Sequence, residues 1–428
     1  MNTPHDPVGE THQAPTNMTN NEVKTTPNIQ SGTMIWGEVA SSGVSRGSAV
    51  VCACADHAAR PRRTIRDSEV EKEIIDGFAG RVFINPTPAI LREYDRLEAD
   101  LQAHQAALKG LIELPAVTRD GVPIKLCANI GKSADAVAAA SLNADGVGLY
   151  RTEFVFLVQD RFPSENEQYE IYRTTADRLK PREVVIRVLD IGSDKLLHYF
   201  PLPLEANPSL GCRGTRLLLA HPEILRAQLR AIFRLSATHP VSILFPMIGG
   251  LEDLLAVKAA IASVKASLTV ERQPFNPHVP IGAMIETPAA AILIGRLARE
   301  VDFLSVGTND LVQYLLTTDR TSSEVASYYE PLHPVVLQVL SSLATVARAK
   351  VKSISICGEM AGNPAYTPLL LGLGFRNLSV SPGELLEIKN TIRSTSLQQA
   401  EDLATRILQL DTIQEVKGCL RDEQAPAP

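Results

Sequence analysis

Glu286 and Asp310 each close an apolar, strand-like run, and one helix-like stretch joins the two runs. The runs read PIGAMIE (280–286) and DFLSVGTND (302–310), and TPAAAILIGRLAREV between them carries apolar residues at helical spacing. A β-α-β unit of this kind delivers both carboxylates to the same edge of a parallel sheet. Two carboxylates converging there suit a hard divalent cation, and such a cation suits a phosphate-bearing substrate.

Other strand-like runs bring further polar residues to the same edge. Arg151, Thr152 and Glu153 follow one run, and Arg187 with Asp190, Gly192, Asp194 and Lys195 follow the next. A loop holds Asn207, Pro208, Gly211 and Arg213. Asn309 precedes Asp310, Arg320 lies one short helix further on, and Cys357, Gly358 and Glu359 end a later run. Each has a plain structural alternative. A strand-end arginine is ordinarily a surface or ion-paired residue, and Cys357 could be a small core side chain. Glu286 and Asp310 could cap the helices that follow them. Four arginines with two carboxylates and an amide at one edge are costly to assemble without a ligand. Arginine forks match phosphate and carboxylate oxygens, so the inventory fits a small doubly anionic substrate on a metal.

The elements that must position these residues are regular from residue 125 onward. Strand-like runs fall at 125–131, 146–150, 184–191, 242–248, 280–286, 302–306, 353–357 and 377–381. Helix-like segments separate them, for example at 165–179, 214–234, 251–266, 334–349 and 383–394. Eight near-continuous apolar strands alternating with helices predict an α/β fold, a closed (β/α)8 TIM-type barrel; a doubly wound open sheet is the alternative. The barrel is expected over 121–415. Residues 1–33, rich in Thr, Asn and Pro, read as a disordered tail, and 416–428 as a second tail. Residues 34–87 carry strand-like pieces, at 34–54 and 81–85, in a segment too short to be a robust domain. Residues 88–120 hold an amphipathic linker helix, with Ile90, Leu91, Tyr94, Leu97, Leu101 and Leu108 at helical spacing.

Composition narrows the function classes. The 428 residues are 45% hydrophobic and 21% charged, the balance of a globular protein with a substantial core. The 42 basic and 48 acidic residues leave a net charge of −6, and no long basic run is present, which argues against nucleic-acid binding. Six scattered cysteines, with only Cys52 and Cys54 close together, point to a reducing, cytoplasmic compartment rather than a disulfide scaffold or zinc site. No run approaches the roughly 20 apolar residues of a membrane helix, so no membrane insertion is expected.

Six segments resemble, in order, the phosphoenolpyruvate-binding barrel of enzyme I of the bacterial sugar phosphotransferase system, the phosphoenolpyruvate-protein phosphotransferases. They are DGVGLYRTEF (145–154), VIRVLDIGSDK (185–195), NPSLGCRGTR (207–216), GAMIETPAA (282–290), DFLSVGTNDLVQY (302–314) and CGEMAG (357–362). Pyruvate phosphate dikinase and phosphoenolpyruvate synthase share such a barrel, but GLYRTEF and DIGSDK are more similar to enzyme I. The resemblance implies that Arg151, Arg187 and Arg320, joined by Arg213, hold the phosphate and carboxylate of phosphoenolpyruvate. It implies that Glu286 and Asp310 bind Mg2+, that Asn309 donates to the phosphate and that Lys195 adds positive charge nearby. Cys357 would protonate the enolate carbon of the departing pyruvate. The expected partners are phosphoenolpyruvate and pyruvate, a histidine-bearing phosphocarrier protein and a second copy of the chain in a homodimer.

The chain departs from the pattern at its front. Enzyme I passes the phosphoryl group to a histidine in a segment like G-G-x-T-S-H, and none of the nine histidines here has that context. His57, beside Asp56 and Ala58, reads as a loop residue. The segment 34–87 is similar to a shortened swivel domain, without the phosphohistidine segment or the carrier-docking subdomain. Three functions follow: a transferase that serves a histidine supplied in trans, a phosphoenolpyruvate-sensing module, or lyase chemistry on a pyruvate enolate.

Overall fold

The computed structural model describes residues 23–24, 34–38, 72–76, 81–193 and 197–424. The chain divides into two units, Met1–Ala106 and Ala107–Pro428. In the first, β1 (Val23–Lys24), β2 (Met34–Glu38), β3 (Lys72–Asp76) and β4 (Arg81–Ile84) form an antiparallel sheet in the order β1-β4-β3-β2. Helix α1 (Pro88–Lys109) follows, and its Tyr94 hydroxyl donates to Asp76 Oδ2 at 2.6 Å while its ring packs on Phe83. The expected strand at 81–85 is β4 and the front of the 34–54 piece is β2; the rest of that piece lies outside the described residues, as does His57.

The second unit is a closed all-parallel barrel of β5 (Lys125–Ile130), β6 (Val147–Arg151), β7 (Val184–Arg187), β8 (Val241–Phe245), β9 (Ile281–Ile285), β10 (Phe303–Val306), β11 (Ser353–Ile356) and β12 (Asn377–Val380). Pairing of Asn377 with Lys125 and of Leu378 with Leu126 closes the ring. The intervening helices are α2 (Ser133–Ser141), α3 (Glu153–Leu157), α4 (Glu165–Asp177), α5 (Thr215–Ala220), α6 (Pro222–Leu235), α7 (Leu251–Val270), α8 (Pro288–Leu297), α9 (Thr308–Leu315), α10 (Pro334–Ala349) and α11 (Thr367–Gly372). After β12 come α12 (Leu385–Ser394), α13 (Leu397–Ile407) and α14 (Ile413–Gln424). This is the (β/α)8 barrel that the eight apolar runs predict. Each strand is buried between helices outside and side chains inside, which is why the runs are continuous rather than alternating.

Inside the ring, Leu149, Val185, Leu244, Met284 and Cys357 form a small core of their own, with Phe303 packed against it. The barrel is filled rather than hollow, so chemistry is confined to its rim. Two elements differ from the sequence reading. The helix expected over 214–234 is broken at His221, because Pro222 lacks the N–H that a continuous helix would use and instead opens α6. Residues 416–424 are not a loose tail: they belong to α14, whose Val416 and Leu420 are buried in the main core. Among the described residues no helix is long and apolar enough to cross a membrane.

Candidate active site

The carboxyl edge of the barrel collects the predicted side chains. Arg151 and Arg187 are the last residues of β6 and β7 and face each other in register. Glu286 follows β9, and Asn309 and Asp310 occupy the first turn of α9, directly after β10. Cys357 follows β11, Arg213 lies just before α5, and Arg320 sits in the loop beyond α9. Gly307 makes the approach of β10 to β9 possible, because a Cβ there would stand 2.7 Å from Glu286 Oε2. Gly214 serves Asp190 in the same way: its φ is +54° and an added Cβ would lie 2.9 Å from Asp190 Oδ1. Lys195 lies outside the described residues.

The arginines are held by carboxylates rather than by solvent. Arg187 is buried, pairs with Glu153, and reaches Asp190 Oδ2 at 3.3 Å through Nη1. Asp190 Oδ2 also meets Arg213 Nη2 at 3.3 Å, so one buried carboxylate holds two guanidinium groups. Burial works against the charge on Arg187, but Glu153, Asp190 and Glu286 outweigh it and drive its pKa up. Arg320 extends Nη2 to within 3.5 Å of Asp310 Oδ1, and its backbone N–H donates to Gln313. Arg151 remains exposed at the mouth.

The two carboxylates of the candidate metal pair are strained by each other. Glu286 is 1% exposed, and its Oε1 accepts the Met247 N–H at 2.6 Å. Burial first, then the charges of Asp310 and Asp190, push its pKa up to about 8, against the opposing pull of Arg187 and the Met247 N–H. Asp310 Oδ1 is buried without a hydrogen-bond donor. Repulsion between the two carboxylates and a carboxylate oxygen without a hydrogen-bond donor suit a pair that shares a cation. Among the described residues no cluster of three or more His, Cys, Asp or Glu side chains forms a closed metal cage. Two hard oxygen donors in an open site therefore fit Mg2+, which keeps most of its shell for water and substrate oxygens.

The amide and the thiol complete the rim. Asn309 and Glu359 clasp each other: Asn309 Nδ2 donates to Glu359 Oε1 at 3.0 Å, and the Glu359 N–H donates to Asn309 Oδ1 at 2.9 Å. That clasp fixes which end of the amide is the donor and leaves one N–H for a ligand. Cys357 Sγ is buried, accepts the Ser305 hydroxyl at 3.2 Å and donates to Val306 O at 3.4 Å. Burial pushes its pKa up to about 11, so it is a thiol at neutral pH. Every buried side-chain atom without a hydrogen bond among the described residues belongs to the barrel interior or this rim: Asn129 Oδ1, Arg187 Nε, Thr308 Oγ1, Asp310 Oδ1 and Ser379 Oγ. Unspent donors beside unspent acceptors mark a surface built for a polar ligand.

A barrel whose carboxyl edge gathers arginines, two carboxylates and a thiol presents the groups that a small anionic ligand would meet. Residues 105–397 match the family of PEP-utilising enzymes through its PEP-binding domain, and the chain belongs to that family. The chain is 42% identical over 349 residues to the phosphoenolpyruvate-protein phosphotransferase of Haemophilus influenzae, covering 82% of this chain and 61% of that one. It is 41% identical over 356 residues to the same-named protein of Cupriavidus necator (82% and 61%) and 38% identical over 349 residues to that of Bacillus subtilis (82% and 61%). The chain thus spans about three fifths of the length of these relatives.

Several supporting residues were not visible in the sequence as such. Asp190 sits on a predicted strand end, but nothing local says that it bridges Arg187 and Arg213. The pairing of Asn309 with Glu359 joins residues 50 positions apart. Ser305 is an inward residue of β10, signalled only by its alternation with Leu304 and Val306.

Proposed function

We propose that this chain binds phosphoenolpyruvate with Mg2+ at the carboxyl edge of its barrel and transfers the phosphoryl group to a protein histidine, releasing pyruvate. The observation that carries this reading is the joint inventory of the rim: Arg151, Arg187, Arg213 and Arg320 around the Glu286–Asp310 pair, with Arg187 Nε and Asp310 Oδ1 buried and without a hydrogen bond. Arg151, Arg187 and Arg320 bind phosphate and carboxylate oxygens, with Arg213 beside them. Glu286 and Asp310 would hold Mg2+, which would supply charge neutralisation for a phosphorylated substrate.

In the step itself an imidazole nitrogen lone pair forms the N–P bond as the bond from phosphorus to the enol oxygen breaks. The imidazolium so formed releases a proton to solvent. The arginines lower the barrier by stabilising the charge that gathers on the departing enolate and the equatorial oxygens. Asn309, clasped by Glu359, donates its remaining amide N–H to the phosphate. Cys357 passes its thiol proton to the enolate methylene carbon, which becomes the methyl of pyruvate.

None of the nine histidines in the sequence stands in a G-G-x-T-S-H context, and on this reading the acceptor histidine is supplied in trans. The same observation favours a second reading, a phosphoenolpyruvate-sensing module without transfer. Incubating the protein with Mg2+, labelled phosphoenolpyruvate and a purified histidine domain separates the two. Label on the histidine supports transfer; tight binding with no label on any supplied acceptor supports sensing.

A further inference from the structure

On the proposed function, the proton carried by Cys357 must be replaced after each turnover. An enolate bound at the rim would stand between the thiol and the mouth of the barrel. Behind the thiol, however, the interior is not wholly apolar. Ser305 on β10 donates its hydroxyl to Cys357 Sγ at 3.2 Å, and Ser355 on β11 donates to Ser305 Oγ at 3.1 Å. Both hydroxyls lie on the inner face of the ring, and both donate in the direction of the sulfur. Ser305 is completely buried, whereas Ser355 is half-buried and keeps access to solvent. A hydroxyl pair is not needed to fill this space, since the neighbouring interior positions are Leu149, Val185, Leu244 and Met284.

We propose that Ser305 and Ser355 form a proton relay that reloads Cys357 from the barrel interior. This rests on the reading of Cys357 as the group that protonates the enolate. In the forward direction the S–H bond breaks as the new C–H bond forms, and the enolate oxygen becomes the ketone carbonyl. A concerted shift then moves the Ser305 proton to sulfur, the Ser355 proton to Ser305, and a water proton to Ser355. The hydroxide left in solution is neutralised by the proton that the histidine ring releases. Both serines are assigned as positioning and relay residues, acting through Cys357. The charged groups facing the thiol are Glu286, Arg187 and Arg151, and none of them lies in hydrogen-bond contact with either serine hydroxyl.

The relay is testable without any phosphoryl acceptor. Run in reverse, it removes a methyl proton from pyruvate, so the full-length protein with Mg2+ in D2O should catalyse deuteration of the pyruvate methyl group, read by proton NMR. Cys357→Ala should abolish this exchange. Ser305→Ala should slow it at least about tenfold, within the range of general acid–base effects. Its affinity for phosphoenolpyruvate should stay within about twofold by calorimetry, because Ser305 does not contact the ligand. Ser305→Thr restores the hydroxyl and should recover most of the rate, and Ser355→Ala should fall between wild type and Ser305→Ala. A purely structural role would lower stability and affinity together and would not be rescued through the hydroxyl. Wild-type exchange rates in both Ser305→Ala and Ser355→Ala would overturn the relay. So would a wild-type protein that binds phosphoenolpyruvate but exchanges no pyruvate protons. A wild-type protein that binds no phosphoenolpyruvate would instead remove the functional reading on which the relay stands.

Discussion

The two edges of the barrel are both rich in charge, yet they treat it in opposite ways. At the amino edge each charge is answered. Lys125 meets Glu183 at 3.0 Å, the Ser242 hydroxyl donates to the other oxygen of Glu183 at 2.6 Å, and Asp145 and Asp302 accept the backbone N–H groups of Leu126 and Ile281 at 2.7 and 2.8 Å. At the carboxyl edge the count does not close: Arg187 Nε and Thr308 Oγ1 are buried without a hydrogen bond, Asp310 Oδ1 has only the Arg320 guanidinium at 3.5 Å, and Glu286 is crowded by Asp310 and Asp190. The amino edge uses charge to start strands and turns. The carboxyl edge leaves part of its charge unanswered, as the proposed ligand site requires. The number of charges does not distinguish the two; whether they are satisfied does.

The largest effect should come from Arg187→Ala. It leaves Glu153 and Asp190 buried with one cation fewer, so both binding and folding should suffer, with a stability loss on the order of 3–5 kcal/mol in denaturant unfolding. A loss of binding with unchanged stability would show that Arg187 is not structurally tied to those carboxylates. Asp310→Asn should separate the two properties. Removing the negative charge beside Glu286 relieves repulsion, so the metal-free protein should be no less stable than wild type. Uptake of phosphoenolpyruvate with Mg2+ should nevertheless fall about 100-fold, since a metal-ligand carboxylate is gone. Equal loss of both would place Asp310 among the structural residues.

The pH dependence of stability should carry opposite signs at the two edges. Burial would raise the pKa of Glu183, but Ser242 and Lys125 outweigh it and lower it. Its contribution is therefore present above the ordinary glutamate value and is lost as pH falls through the lowered folded value. Glu286 is raised, to about 8. Between the unfolded value and that figure the folded state holds the extra proton, so stability drawn from Glu286 falls as pH rises across this window in metal-free protein. Comparing Glu286→Gln with wild type by thermal melts in chelator should flatten that slope, and Glu183→Gln should flatten only the acid side. The smallest effect is that of Glu183→Gln at neutral pH. Its partner Lys125 is well exposed, so the loss should stay below about 1 kcal/mol, with ligand binding unchanged. A large binding defect in this variant would erase the distinction between the edges.

The eight strands were legible because burial on both faces leaves continuous apolar runs, and their ends differ from the sequence reading by no more than four residues. The rim was legible for the same reason: a polar residue directly after such a run has only the carboxyl edge to occupy. What the runs could not convey was partnership. The Asp190 bridge, the Asn309–Glu359 clasp and the Ser355–Ser305–Cys357 line each join separate strands or loops through side chains. Strand β3, KEIID, is short and half charged, and sheet pairing rather than hydrophobicity defines it. Helix α14 did leave a signal. Thr412 Oγ accepts the Glu415 N–H, and Glu415 accepts the Thr412 N–H, a T-x-x-E capping box followed by Val416 and Leu420 at helical spacing.

The claim that the carboxyl edge is a metal-assisted phosphoenolpyruvate site is tested most directly by titrating phosphoenolpyruvate into the wild-type protein in a calorimeter, once with Mg2+ and once with a chelator. The account predicts saturable, one-to-one heat with Mg2+ and affinity at least about 100-fold weaker without it. Equal affinity in the two titrations, or no binding in either, would contradict it.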